Sequence, residues 1–242
     1  MKLKVNEIFT TFQGEGPTIG IPVTFLRLAI CNLHCVWCDT WYTWNFGKGD
    51  GKEKRYGSPT VKREAEVHDM EPDAVYQKLH ELETRNLVIS GGEPMLQQKA
   101  LYGLMEAYSR HNEQAPYIEV ETNGTVPLDV DFAPFIHQIN CSPKLETSGN
   151  TKAARYKPDV LKQYQATGRA VFKFVVSDEN DIREINQIAE ECGLTYIVLM
   201  PQGKTKAEQE AWADKVAWIA KECGWRFSPR LHILMYDQKR AI

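Results

Sequence analysis

Three cysteines lie within eight residues of this chain, at Cys31, Cys35 and Cys38, in the pattern C-x-x-x-C-x-x-C. This spacing brings three thiolates to one point and supplies no fourth. A closed structural zinc site takes four protein ligands, and four cysteines usually hold an electron-carrying iron–sulfur cluster. Three thiolates on a four-iron cluster leave one iron without a protein ligand. The pattern therefore favours a chain that performs chemistry at an open metal position.

Strand-like and helix-like segments alternate along the chain. The apolar, β-prone segment 23–30 leads directly into Cys31. Further strand patterns, with helical patterns between them, cover 87–90, 117–121, 135–140, 170–176 and 196–200. Such alternation predicts parallel βαβ units. Because a full eight-stranded barrel typically needs about 250 residues, we predict an α/β fold with an incomplete, open parallel (β/α) barrel of about six strands. A Rossmann-type sheet is the alternative, although no G-x-G-x-x-G follows the first strand.

The remaining organisation is simple. We predict a single domain over residues 1–242, with an N-terminal segment 1–20 and a glycine-rich, charged loop or insertion at 45–70. The net charge of −3 argues against binding to nucleic acid or to a membrane surface. No run approaches the roughly 18 apolar residues of a membrane helix, and the N-terminus lacks the apolar core of a signal peptide. We therefore expect a cytoplasmic protein.

Polar, small and glycine residues follow the predicted strands at corresponding points. They are Cys31 and the segments 90–93, 121–123, 142–144 and 201–203. In parallel α/β folds the functional residues gather at the C-terminal ends of the strands, so we predict the site there. Gly91 and Gly92 would let the backbone approach a ligand at a strand-to-helix turn whose N–H groups are free. The alternative is an ordinary βα turn.

These motifs resemble those of the radical S-adenosylmethionine (SAM) superfamily. The cysteine pattern, with Trp37 before its last cysteine, and the sequence Gly91-Gly92-Glu93-Pro94 carry the resemblance. Within the superfamily the chain is similar to the 7-carboxy-7-deazaguanine synthase family from Glu7 to about His232, and 45–70 has no counterpart. The further motifs of this similarity are Phe12-Gln13-Gly14-Glu15-Gly16, Arg27, Cys38-Asp39-Thr40, Ser90, Glu121-Thr122-Asn123-Gly124 and Ser142-Pro143-Lys144.

The resemblance implies two cofactors. A 4Fe-4S cluster would be held by Cys31, Cys35 and Cys38, and its open iron would bind the amino and carboxylate groups of SAM. One electron from the cluster would then cleave the sulfonium and start radical chemistry on the substrate. The alternative for the cysteines is a zinc site completed by His34 or a distant ligand. The implied SAM contacts are Trp37, Cys38, Asp39, Gly92, Glu121, Asn123, Ser142, Pro143, Lys144, Lys173, Val175 and Val176.

The resemblance also implies the substrate, 6-carboxy-5,6,7,8-tetrahydropterin, which would become 7-carboxy-7-deazaguanine with loss of ammonia, a step of queuosine and 7-deazapurine biosynthesis. Arg27 suits a carboxylate, since a guanidinium in an apolar strand needs water or a partner; the alternative is a surface position on an edge strand. Thr40 would ligate Mg²⁺, or else cap a helix. The implied substrate contacts are Phe12, Gln13, Gly14, Glu15, Arg27 and Ser90. The first four lie in the segment 1–20. The alternative for these four is a turn between two strands, which the glycines and Pro17 of this segment also predict.

Several assignments stay open at this level. The resemblance implies a homodimer and an unidentified flavodoxin- or ferredoxin-like electron donor. A glycyl-radical-enzyme activating protein shares the cysteine pattern and acts on a protein backbone, and a non-catalytic metal-binding module is a second alternative. Glu119 and Glu121 are a weak candidate for an acid–base pair. Cys192 and Cys223 complete apolar helix stripes, which predicts that both thiols are packed in the core. The roles of Cys141 and of the segment 229–232 are undecided.

Overall fold

The structure, a computed structural model, describes residues 1–241 of the chain. The strands are β1 Leu3–Phe12, β2 Pro22–Leu28, β3 Lys54–Arg55, β4 Ser58–Pro59, β5 His68–Met70, β6 Asn86–Gly91, β7 Tyr117–Thr122, β8 Gln138–Cys141, β9 Ala170–Val176, β10 Ile197–Pro201 and β11 Arg226–Phe227. The α-helices are α1 Arg63–Glu66, α2 Pro72–Glu81, α3 Gln98–Arg110, α4 Lys152–Arg155, α5 Pro158–Ala166, α6 Asn180–Cys192, α7 Lys206–Glu222 and α8 Leu231–Tyr236.

Nine strands form one sheet in the order β11-β10-β9-β8-β7-β6-β2-β1-β5. Seven of these strands run parallel to their neighbours, in the spatial order β2, β6, β7, β8, β9, β10 and β11. Each strand of this series is added on the same side of the previous one, with helices in the connections. The six parallel strands expected from the sequence are present as β2 and β6 to β10, and the short β11 extends them. This is the incomplete parallel (β/α) barrel that the alternation predicts. None of the helices within residues 1–241 is both long and apolar enough to span a membrane.

The first twenty residues contain a strand that the sequence analysis did not assign. β1 pairs antiparallel with β2, from Val5 opposite Leu28 to Phe12 opposite Pro22. The predicted turn between two strands follows it and is closed by hydrogen bonds between Gln13 and the segment 20–21. At the start of β1, Leu3 and Val5 are buried on either side of the half-buried Lys4, as expected for a strand with one face on the core. β2 is therefore an internal strand of the sheet.

The segment 45–70 is more ordered than the predicted loop. β3 and β4 form a small hairpin that is held by Asn45, whose Nδ2 donates to the backbone oxygens of Arg55, Ser58 and Pro59 at 3.0, 3.2 and 3.0 Å. β5 pairs antiparallel with β1 and forms the edge of the large sheet. The insertion therefore contributes a small hairpin and also the edge strand of the large sheet.

Strand β9 shows how the two faces of the sheet differ. Phe172 and Phe174 lie in the main apolar core beneath the helices. Val171 and Val175 belong to a smaller apolar cluster on the opposite face. Because side chains alternate along a strand, Lys173 shares the face of Val171 and Val175, and it is fully buried there. A buried lysine on this face requires anionic partners, which the site supplies.

The end of β6 approaches the end of β2 too closely to admit side chains. A Cβ atom on Gly91, whose φ is +132°, would lie 1.9 Å from the backbone oxygen of Leu28, and one on Gly92 would lie 2.1 Å from that of Ile30. The N–H of Gly92 donates to Leu28 at 2.9 Å. The expectation that this N–H is free is therefore wrong. The two glycines allow the backbone at the end of β6 to contact the backbone at the end of β2, and this contact positions the cysteine loop.

Candidate functional site

A cavity of about 390 Å³ opens at the C-terminal ends of the parallel strands, where the sequence analysis places the site. Its walls come from β1 and β2, from the ends of β6 to β10 and from the segment 230–241. The cavity brings together most of the predicted site residues. They are Phe12, Gln13, Gly14, Glu15, Arg27, Cys31, Cys35, Trp37, Cys38, Asp39, Thr40, Ser90, Gly92, Glu121, Asn123, Ser142, Lys144 and Val175.

Three residues predicted to contact SAM lie behind this wall. Pro143 is buried. Lys173 is fully buried beneath the cavity. Val176 lies in the main core, because the alternation of β9 turns it away from the face that carries Val175. Cofactor contact by these three residues stays a prediction.

The cysteine loop is held by a segment that follows β8. The backbone N–H groups of His34 and Val36 and the indole N–H of Trp37 donate to three acceptors in the segment 147–150, at 2.9, 3.1 and 3.0 Å. These contacts join parts of the chain that are distant in sequence. The conformation of the cysteine motif therefore depends on the assembled sheet.

Each cysteine sulfur of the motif accepts one N–H at close range. Two of the donors are side chains and one is a backbone group, and all three distances lie between 3.3 and 3.4 Å. The donors are the backbone N–H of Leu33 for Cys31, the side-chain amide of Asn150 for Cys35 and the indole of Trp44 for Cys38.

Burial disfavours ionisation of all three thiols. It raises the pKa of Cys31 to about 12 and also raises the pKa values of Cys35 and Cys38. Metal binding must therefore displace three protons, which is the usual behaviour of thiolate sites. Thiolates are soft ligands and suit iron. Three thiols that line one cavity, each with an N–H donor, fit a metal group that binds several thiolates.

Five charged side chains form a continuous network along the cavity, in the order Glu121, Lys173, Glu15, Arg230 and Asp39. Lys173 is fully buried, and the Asp39 side chain at one end is 34% exposed. Lys173 Nζ lies 2.6 Å from Glu121 and 2.9 Å from Glu15. Arg230 Nε donates to Glu15 at 2.8 Å, and Arg230 Nη2 donates to Asp39. The Arg230 side chain is 11% exposed. Arg230 lies next to the short helix α8 in a segment without a recognisable motif, so no local pattern in the sequence indicates its role.

The pKa values of the two carboxylates beside Lys173 shift in opposite directions. Burial disfavours the charge on both, but the cations Lys173 and Arg230 together hold the pKa of Glu15 well below its usual range. Glu121 has only Lys173 and also faces the negative charges of Glu15 and Glu119, so burial raises its pKa. The cavity wall therefore carries one firmly ionised carboxylate and one that takes up a proton more readily.

Arg27 lies on an internal strand, so the alternative of an exposed edge position is wrong. Its side chain is 14% exposed and lines the cavity. The Nε group donates to Glu7 at 3.0 Å. The guanidinium also lies 5.5 and 5.9 Å from the ring centres of Phe9 and Phe25. These contacts hold a cation at the cavity wall in a position that suits a carboxylate ligand.

Thr40 stands at the N-terminus of the 3₁₀ helix Trp41–Thr43, but its side chain makes no capping hydrogen bond. Its Oγ1 lies 3.6 Å from Cys38 Sγ, and the residue lines the cavity. The structure therefore does not support the capping role that the sequence left as an alternative. The hydroxyl faces the same space as the cysteine sulfurs.

Glu119 does not act as a pair with Glu121. Its Oε2 accepts hydrogen bonds from Gln13 at 3.2 Å, from Thr18 at 2.9 Å and from Asn140 at 2.9 Å. Glu119 is buried and, among residues 1–241, is not one of those that line the cavity, whereas Glu121 is. Glu119 therefore anchors the turn after β1 to β7 and β8. The side-chain amide nitrogen of Gln13 takes part in this contact with Glu119 and also donates to Glu121 Oε1 at 3.2 Å.

Glu93 joins the ends of β6 and β7. Its buried carboxylate accepts the backbone N–H of Met95 at 3.0 Å, the hydroxyl of Thr122 at 2.7 Å and the backbone N–H of Asn123 at 2.7 Å. The Asn123 side chain in turn donates to Asn32 in the cysteine loop at 2.9 Å. The glutamate of the Gly91-Gly92-Glu93-Pro94 motif thus positions a cavity residue on the neighbouring strand.

The segment 230–241 closes one side of the cavity. The backbone N–H of Leu231 donates to the carbonyl of Gly14 at 2.8 Å, and a Cβ on Gly14 would lie 2.2 Å from His232 Nδ1. The Arg240 guanidinium lies 3.5 Å from the ring centre of Tyr42. The structure thus assigns the C-terminal residues, whose role the sequence left undecided, to the wall of the cavity.

His232 is expected to make the folded state less stable as the pH falls from about 6.5 to about 4. Burial, and then the charge of Arg230, lower the pKa of His232 to about 4. The unfolded chain binds this proton from about pH 6.5 downward, while the folded chain resists it until about pH 4. The stability that the neutral ring contributes is therefore complete above this window and is lost within it.

The measurement is urea unfolding at about pH 7, 5.5 and 4.5, with the parent compared with His232→Gln. The variant should lose less stability across the window than the parent does. His80→Gln, at a histidine whose side chain is 55% exposed, is the matched control and should follow the parent. An equally steep loss in His232→Gln would contradict the assignment.

Comparison with known proteins gives three findings. Residues 27–171 match the family described as the Radical SAM superfamily. Two relatives named 7-carboxy-7-deazaguanine synthase are 32% identical (Hyperthermus butylicus, covering 96% of this chain and 92% of the relative) and 30% identical (Pyrobaculum aerophilum, 99% and 97%). The crystal structure of QueE from Escherichia coli matches with a TM-score of 0.65 at 27% identity, covering 96% of this chain and 95% of that one.

Proposed function

We propose that this chain, which belongs to the radical S-adenosylmethionine superfamily and within it to the 7-carboxy-7-deazaguanine synthase family, converts 6-carboxy-5,6,7,8-tetrahydropterin to 7-carboxy-7-deazaguanine with loss of ammonia. The observation that carries the proposal is the shared cavity. It is lined by the three-cysteine loop together with Arg27, Glu15 and Ser90, so residues predicted for the cofactor and residues predicted for the substrate border one space.

The residues at the cysteine end of the cavity fit the two cofactors of the superfamily. Cys31, Cys35 and Cys38 would hold the 4Fe-4S cluster, and the ends of β6 to β8 would hold SAM through Gly92, Asn123 and the segment 142–144. When bound, cluster and SAM supply one-electron chemistry that removes a hydrogen atom from the substrate. The chain would orient both groups and exclude water around them.

The residues at the other end fit a charged pterin. Arg27 would bind the substrate carboxylate, because a planar guanidinium matches a carboxylate with two parallel hydrogen bonds. Glu15, which its two cationic neighbours keep ionised, would accept N–H groups from the guanidine-like edge of the pterin. Ser90 at the end of β6 would donate or accept one further hydrogen bond.

Thr40 would ligate Mg²⁺, and the ion would help to hold the substrate carboxylate. Mg²⁺ prefers oxygen ligands and retains several waters, so one protein hydroxyl and substrate oxygens suit it. The proposal is supported by the position of the Thr40 hydroxyl, which lines the cavity and makes no capping bond. The homodimer and the flavodoxin- or ferredoxin-like electron donor are proposals supported by the family resemblance.

The test is a product assay. Anaerobically reconstituted protein, supplied with reductant, SAM, Mg²⁺ and the carboxytetrahydropterin, is expected to release 7-carboxy-7-deazaguanine and one ammonia per product. Mass spectrometry identifies the deazapurine, and a parallel reaction without the pterin controls for background cleavage of SAM.

Two outcomes would overturn the proposal in different ways. Cleavage of SAM without any deazapurine would contradict the substrate and would favour the activating-protein alternative. Stoichiometric zinc with no broad visible absorption after reconstitution would instead favour a non-catalytic metal-binding module.

A further inference from the structure

We propose that Trp44 and Asn150 set the reduction potential of the cluster by donating hydrogen bonds to two of its three cysteine sulfurs. The inference rests on the cluster site of the proposed function. It concerns two residues outside the cysteine motif, one from the segment after the motif and one from the connection after β8. Both act on the cluster through its ligands, so they are positioning residues.

Trp44 is fixed with its indole N–H against a sulfur. Its Nε1 lies 3.4 Å from Cys38 Sγ, and the residue is 8% exposed. The ring packs against His34 at 4.8 Å and against Tyr56 at 5.5 Å between ring centres. Tyr56 belongs to the 45–70 insertion, so the insertion helps to keep the indole in place. Since the indole N–H can only donate, the sulfur is the acceptor.

Asn150 presents its amide nitrogen to a second sulfur. Its Nδ2 lies 3.3 Å from Cys35 Sγ and 3.2 Å from Ser148 Oγ. Its Oδ1 accepts the backbone N–H of His34 at 2.9 Å. Because a backbone N–H can only donate, it identifies the oxygen end of the amide and leaves the NH₂ group on the side of the sulfur.

Hydrogen bonds to cysteine sulfurs shift the potential of an iron–sulfur cluster because they stabilise its more negative, reduced state. Each side-chain donor on Cys35 and Cys38 should therefore make one-electron reduction easier. The third sulfur, of Cys31, receives a backbone N–H from Leu33 that no side-chain substitution removes. Among the donors within 3.4 Å of a sulfur, the two side chains are thus the adjustable part; the Asn123 amide lies farther from Cys31 Sγ, at 4.0 Å.

Trp44→Phe removes the indole N–H and keeps an aromatic ring. Reconstituted variant and parent are titrated anaerobically with dithionite, and the reduced cluster is followed by electron paramagnetic resonance. At the potential that reduces half of the parent cluster, the ratio of reduced to oxidised cluster in the variant should be severalfold to about tenfold lower. A tenfold change corresponds to about 59 mV for a one-electron couple.

Trp41→Phe is the matched control. Trp41 packs edge-on against Tyr42, with 6.0 Å between ring centres, and its indole is not among the hydrogen-bond donors to the cysteine sulfurs within residues 1–241. The same chemical change at this position should leave the midpoint potential at the parent value. Iron and sulfide content, measured on every sample, shows that equal amounts of cluster are compared.

Asn150→Asp is a second, independent variant. It keeps an oxygen for the His34 N–H and replaces the donor on Cys35 by an acceptor, so its midpoint should also move to a more negative potential. If Trp44→Phe takes up no iron, the midpoint potential of Asn150→Asp tests the inference in its place. A loaded variant with the parent's midpoint, or with a more positive one, overturns the inference. A loaded parent that forms no deazapurine would instead contradict the substrate of the proposed function and leave this comparison of potentials intact.

Discussion

Replacing Cys38 by alanine is expected to abolish both cluster assembly and turnover. The remaining two thiols cannot hold three corners of a four-iron cluster, so the iron content should fall from about four per chain toward zero. Loss of an outer partner of a metal ligand typically costs 10- to 100-fold in affinity or activity, and loss of a ligand should exceed about 100-fold. Iron and sulfide analysis, the visible spectrum and deazapurine formation check the result.

Cys223→Ala is the control for this experiment. The apolar stripe in the sequence predicted a packed thiol at Cys223, but the structure places this residue at the surface just after α7, so that prediction is wrong. Its removal should change neither the iron content nor turnover. Turnover at the parent rate in Cys38→Ala would remove the basis of the whole assignment, because no catalytic step would then depend on the three-cysteine loop.

Replacing Lys173 by methionine is expected to destabilise the fold by about 3–5 kcal/mol. The lysine is fully buried and is the cation shared by Glu121 and Glu15. Without it, two carboxylates stay in the interior with less compensation, which costs more than the methionine recovers by packing. Urea unfolding at about pH 7 measures the loss. Since burial already raises the pKa of Glu121, protonation of this group should make the loss smaller at lower pH.

Two comparisons separate this effect from a general effect of mutation. The double variant Lys173→Met/Glu121→Gln removes one stranded charge, and Glu15 keeps Arg230, so a large part of the loss should be recovered. Lys215→Met breaks an ion pair whose side chains are 44% and 72% exposed, and it should cost less than about 1 kcal/mol. A Lys173→Met protein as stable as the parent would show that the network contributes nothing to the fold.

Most of the architecture could be predicted from the sequence because the patterns that indicate it are local. Alternation of apolar segments predicted the six parallel strands, and cysteine spacing predicted the metal loop without any knowledge of the fold. Strand ends then predicted the location of the cavity, since parallel strands share one C-terminal edge. The alternation within β9 was not used in the same way: Val175 lines the cavity and Val176 lies in the main core, because successive side chains of a strand face opposite sides.

The amino-acid sequence determined the chemistry: soft thiolates in one loop, an arginine on an apolar strand and polar residues at strand ends. Only the tertiary structure decided which other groups act on them. Arg230 and Asn150 carry no local signal, because each owes its position to contacts between distant parts of the chain. Residue type limits what a side chain can do, whereas the energy of a buried charge or hydrogen bond depends on partners that only folding brings within reach.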